Sequence, residues 1–216
     1  NISDEHLLEL MELARELGVI ITAHCENAEE IDSMQTQLIG EGKTGPEWHE
    51  PSRPRSVEAG GVNHLCEFAE KTGASVYIVH TSCGVAVDAA MEARSRGVDV
   101  TVEAVIPHLV LDKTYAEQPD FEGAKYVMSP PLRDAEEHNE LWSGLESGSV
   151  STIGTDHAPF NFNGQKDMGK DSFTLIPNGI PSIQERVDLV HSFGVCTGKI
   201  DMRRMVILCS TQPAKP

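Results

Sequence analysis

The sequence predicts an α/β protein built on a parallel sheet, and three observations carry that expectation. Short β-branched runs alternate with amphipathic helical stretches, glycines stop the helices just ahead of the runs, and no hairpin signal joins two alternating segments.

The chain opens with Ser3 placed as an N-cap, Asp4 and Glu5 in the first turn and an apolar stripe through Leu7, Leu10, Met11, Ala14 and Leu17. Gly18 ends that helix. Residues 19–24 then form a continuous β-branched run, the pattern of a parallel strand buried on both faces. The unit recurs as a helix over 57–71 before a strand over 75–80, and a helix over 85–96 before a strand over 98–103. A shorter strand over 126–128 precedes a helix over 135–147, and a last strand covers 150–155. Helices near 180–193 and 202–208 follow. Five strands alternating with helices fit a closed barrel or an open sheet. The long loops, 40–55, 107–123 and 158–177, follow strands, on the side where parallel α/β folds carry their sites.

At 216 residues and 39% hydrophobic content the chain can bury one core, as one domain or a large part of one. Its 17 basic residues against 34 acidic ones leave a net charge of -17, which argues against nucleic acid or an anionic membrane as partner. No apolar run approaches the roughly 20 residues of a membrane-spanning helix. Five cysteines without CxxC spacing suit buried thiols in a reducing, cytoplasmic setting. Asn1 in place of an initiator Met, and an ending in TQPAKP with no closing element, suggest a processed chain or an excerpt.

Three side chains stand at strand ends: His24 in ITAHCEN, His80 in YIVHTSC and Asp156 in TIGTDHAPF. Imidazole nitrogens plus a carboxylate oxygen are the ligand set zinc favours, and parallel strands converge such groups across long sequence separations. Each residue alone reads better as a loop anchor or helix cap. On spacing alone a metal site and a set of anchors fit the three about equally well.

The motifs HCEN, VHTSC, DFEGAKYVMSPPLR, TDHAPFNF and IPNGI, in this order, resemble the D-hydantoinase and dihydropyrimidinase branch of the cyclic amidohydrolases, over nearly the whole chain. The resemblance implies a metal-dependent (β/α)8 TIM barrel with a small β-sandwich attached. Residues 1–216 would be part of the barrel, without its early strands or the sandwich. It implies a binuclear zinc site with His24 and His80 on one ion and Asp156 on the other. It also implies a His-x-His pair and a carboxylated, bridging Lys upstream of the first helix; neither is in this chain, so the isolated segment is expected to be inactive. The implied reaction is hydrolysis of a cyclic amide to an N-carbamoyl amino acid, with Asp156 moving the proton. Ser129 and Asn178 match positions that bond the cyclic imide edge, although Ser-Pro-Pro and Pro-Asn-Gly are also turn sequences. A small-molecule substrate and a homo-oligomer, a tetramer, follow from the same resemblance.

Allantoinase or dihydroorotase is the alternative within the enzyme class, and a non-catalytic dihydropyrimidinase-related scaffold the alternative outside it. Such scaffolds typically lose metal ligands, whereas His24, His80 and Asp156 are all present. His157 is expected to point away from the site, and Glu103 to reach either the site or a loop salt bridge. His49 and Arg53 receive no role, and Cys25 and Cys83 read as buried small side chains. His6, His64, His138 and His191 are expected on solvated helix faces.

Overall fold

The structure, a computed structural model, describes residues 2–215. The first helix, α1 (Asp4–Leu17), starts at Ser3, whose hydroxyl accepts from the His6 backbone N–H, and stops at Gly18 in the left-handed conformation. Strand β1 (Ile21–Ala23) follows. A helix then appears that the sequence reading lacked, α2 (Ala28–Gly40). Its signal is the Asn27 side chain, which accepts from Glu29 and Glu30 N–H and donates to the Glu30 carboxylate.

Helix α3 (Arg55–Thr72) and strand β2 (Val76–Ile78) repeat the unit, as do α4 (Gly84–Ser95) and β3 (Val100–Val105). The short helix α5 (Ile106–Val110) occupies the start of what was read as a loop. Helix α6 (Glu136–Ser147) leads to β4 (Thr152–Gly154). Helices α7 (Arg186–Val190) and α8 (Met202–Val206) each run on into a π-helical turn, His191–Val195 and Ile207–Thr211.

The strands form one parallel sheet in the order β1-β2-β3-β4, with Thr22 opposite Tyr77 and Tyr77 opposite Thr101. The expected fifth strand, 126–128, is absent. A 3-10 turn (Glu122–Tyr126) ends there, and the Val127 and Met128 carbonyls that a ladder would use are taken by side chains instead.

One face of the sheet is apolar and packed. Val76, Ile78, Val100, Val102, Ala104 and Ile153 are buried in the same core as residues of α3, α4 and α6. The opposite face carries Thr22, Tyr77, Thr101, Glu103 and Thr152, so the strands alternate instead of being buried on both sides as expected. Tyr77 joins this polar face across strands, donating to Glu103 (2.9 Å) and bonding the Thr152 hydroxyl (2.7 Å). Helix α3 approaches the turn after β1 through Gly61, where a Cβ would stand 2.7 Å from the Cys25 and Glu26 backbone.

No helix among the described residues is long and apolar enough to cross a membrane.

Candidate metal and substrate site

His24 follows β1 directly, His80 lies two residues beyond β2 and Asp156 two beyond β4, so the parallel sheet delivers all three to one rim. His80 and Asp156 adopt left-handed backbone conformations, φ 40° and 47°, which turn the chain sharply at the strand ends.

His24 Nδ1 faces His80 Nε2 at 3.1 Å. Two nitrogens bound at about 2.0–2.1 Å to one tetrahedral zinc would be roughly 3.3 Å apart, so this pair fits a shared ion. The buried Nδ1 of His80 has no hydrogen-bond partner among the described residues, and burial, with the charge of His24, pushes the ring down to about 4. It is therefore neutral, the state a ligand needs. No group of three His, Cys, Asp or Glu among the described residues is close enough to hold an ion. The two histidines alone would fill only two positions of a coordination shell.

Asp156 is half-buried. Desolvation raises its carboxyl above the usual range, and the nearby charge of His24 opposes that rise. Glu103 lies close by: burial raises its carboxyl, Tyr77 and the His80 N–H that it accepts lower it, and Asp156 raises it again. Glu103 thus shapes the rim through His80 and Asp156 and forms no loop salt bridge among the described residues.

Behind His24 stands Glu26, which the sequence reading passed over. Its carboxylate accepts from His24 Nε2 at 2.9 Å and pairs with Arg53. Burial pushes the Glu26 carboxyl up, but the His24 hydrogen bond and the Arg53 charge outweigh it and hold the group below the ordinary range. A hydrogen on Nε2 leaves the Nδ1 lone pair free on the side facing His80. The signal is present in HCEN, a carboxylate two residues after a candidate ligand.

Ser129 has a buried hydroxyl without a partner among the described residues, and its peptide bond to Pro130 is cis. The carbonyls around it are all held. Val127 accepts from Lys166 Nζ (2.8 Å) and Gly179 N–H (3.0 Å), Met128 from His49 Nε2 (2.7 Å), and Pro130 from His108 Nε2 (3.0 Å). His49 and His108 are buried and pushed down to about 3, chiefly by desolvation. Asn178 is exposed on the adjoining loop. Gly179 beside it, at φ 146°, brings the backbone so near Ala158 that a Cβ would stand 2.6 Å from the alanine's own Cβ.

His157 lies off the rim: its Nδ1 accepts from the Ser182 and Ile183 N–H groups and ties down the loop before α7. His138, expected in solvent, is half-buried and donates to the Leu111 carbonyl, whereas His6, His64 and His191 are exposed, His64 against Asp4. Cys25 and Cys83 are buried, and burial raises both thiols. Deeper still, Arg133 pairs with Glu58, both side chains 2% exposed, and reaches Ser82 and the Arg53 carbonyl.

No family model matches the chain. It is 41% identical to the D-hydantoinase of Geobacillus stearothermophilus over 98% of its own length and 45% of that protein's. The crystal structure of D-hydantoinase (dihydropyrimidinase) from Thermus sp. matches all of this chain and 47% of that one, with a TM-score of 0.97 and 53% identity. Dihydropyrimidinase from Brevibacillus agri matches 99% of this chain and 46% of that one, with a TM-score of 0.96 and 43% identity. The chain thus spans about half the length of the relatives it matches, and its parallel sheet and helices are an incomplete portion of their barrel. Sequence and structure agree, and together they fit a partial chain of the D-hydantoinase and dihydropyrimidinase family.

Proposed function

We propose that the protein hydrolyses the cyclic amide bond of hydantoins or dihydropyrimidines, giving N-carbamoyl amino acids, at a metal site to which this chain contributes His24, His80 and Asp156. The observation that carries the reading is the 3.1 Å approach of His24 Nδ1 to His80 Nε2, with Asp156 on the same rim. Zinc is the metal that the donor set suits, in a binuclear centre whose bridging carboxylated Lys lies outside this chain. When bound, zinc lowers the pKa of water toward about 7 and polarises the amide carbonyl.

The chain's own residues do the rest. His24, fixed by Glu26, and His80, neutral in its buried setting, would hold one ion. Asp156 takes the proton from the attacking water and returns it to the leaving nitrogen. The Ser129 and Asn178 backbones meet the planar ring, whose alternating C=O and N–H groups match rigid main-chain donors and acceptors. A cytoplasmic homo-oligomer, a tetramer, completes the proposal.

The test is a substrate panel on the full-length protein. Turnover of hydantoin or dihydrouracil is expected. Turnover of allantoin or dihydroorotate alone would replace this reading with the allantoinase or dihydroorotase one. A metal-free full-length protein inactive on all four would favour the scaffold.

A further inference from the structure

Lys166 begins a 3-10 turn (Lys166–Gly169) between the motifs TDHAPFNF and IPNGI and belongs to neither, yet it is only 2% exposed. Its ammonium donates to two backbone carbonyls, Val127 (2.8 Å) and Pro177 (2.6 Å), and lies 5.5 Å from the centre of the Phe160 ring. Desolvation alone accounts for its lowered pKa, so no carboxylate among the described residues shares its charge. Burying an ammonium without a counter-ion costs stability. A loop brace alone needs no charge, because a neutral donor or a water satisfies two carbonyls.

The two carbonyls explain the placement. Val127 is two residues before Ser129, and Pro177 immediately precedes Asn178. Lys166 therefore joins the two segments proposed to hold the substrate ring, and the Gly179 N–H to the Val127 carbonyl adds a second tie. On the Ser129 side, His49 holds the Met128 carbonyl and His108 the Pro130 carbonyl, so three buried side chains fix the backbone on both sides of that serine.

We propose that Lys166 is a positioning residue that sets the spacing between the Ser129 and Asn178 backbones, with His49 and His108 completing the clamp around Ser129. The inference rests on the cyclic-amide reading of the site. Lys166 touches neither the rim histidines nor Asp156, so its loss is felt by the substrate and not by the metal.

The test uses full-length protein and begins with wild-type turnover of hydantoin and dihydrouracil. Its absence would defeat the functional reading, separately from the clamp. Given wild-type turnover, Lys166→Met is expected to raise KM about tenfold, with a smaller change in kcat and undiminished metal content. At the other end of the clamp, His49→Gln keeps a donor for the Met128 carbonyl and is expected to stay near the wild-type KM, whereas His49→Phe raises it. An unchanged KM in a folded Lys166→Met protein would overturn the proposal, as would loss of metal in step with the rise in KM. Failure of both Lys166→Met and His49→Phe to fold would assign these side chains to stability and overturn it as well.

Discussion

Glu26 accepts a hydrogen bond from Nε2 of His24, on the side of the ring away from the nitrogen that faces His80. That contact makes the carboxylate the orienting partner of the imidazole proposed to bind metal. Removing such a partner typically weakens metal affinity about 10–100-fold. Glu26→Leu in the full-length protein is expected to fall in that range, and Glu26→Gln, which can still accept from Nε2, less far. Chelator competition measures both, and equal affinity in all three proteins would exclude the orienting role.

Asp156 is expected to matter for turnover and not for folding. Asparagine tolerates the left-handed backbone at φ 47°, so Asp156→Asn keeps the strand end while removing the proton acceptor. kcat/KM should fall by about 10²–10⁴ with the melting temperature little changed. A variant that retains wild-type rates would remove Asp156 from the reaction.

The neutral histidines of the clamp make stability sensitive to acid. His49 and His108 titrate near 6.5 when unfolded but only at about 3 in the fold, where burial disfavours the imidazolium. Between those values the unfolded chain binds protons that the folded one does not, so stability falls as pH drops from about 6.5 toward about 3. The limiting slope is about 1.4 kcal/mol per pH unit for each group. Denaturant midpoints at pH 7, 5.5 and 4.5 should show the loss, and His108→Gln should shallow it. An identical slope in the variant would show that other groups carry the effect.

Arg133 and Glu58 form a buried pair that also holds Ser82, in the turn after β2. Arg133→Met strands the Glu58 carboxylate and is expected to cost about 3–5 kcal/mol in denaturant titrations of the full-length protein. Adding Glu58→Gln should recover part of that loss. A single variant as stable as wild type would mean that the pair does not carry the stability assigned to it.

The 216-residue chain on its own is expected to melt without cooperativity and to bind zinc weakly. Among the described residues no strand pairs with the outer edge of β1 or β4, and Leu10, Leu13, Leu17 and Val19 are exposed. The two rim histidines would fill only part of an ion's coordination shell. A sharp calorimetric transition together with tight zinc binding would contradict this.

The repeating helix, glycine stop and β-branched run made β1 to β4 legible, because burying the helix-facing side forces both hydrophobic periods into the sequence. Residues 126–128 look the same in one dimension. Their carbonyls are claimed by Lys166 and His49 from distant loops, and no local pattern announces such a capture. Helix α2 was overlooked although Asn27 and Glu30 spell its cap. The rim trio could be read from strand ends and Glu26 from HCEN, whereas His108 and Lys166 act through tertiary contacts with no sequence period behind them.

The backbone at His80 and Asp156 has a consequence for how such a site can be lost. A left-handed conformation costs an L-residue with a bulky side chain about 1 kcal/mol or more, and glycine avoids that cost. At these two positions the needs of folding and of chemistry pull against each other. Glycine or asparagine at either turn would ease the backbone while removing the group that faces the rim. At both turns a side chain able to carry chemistry is held in a backbone conformation that glycine would adopt at lower cost.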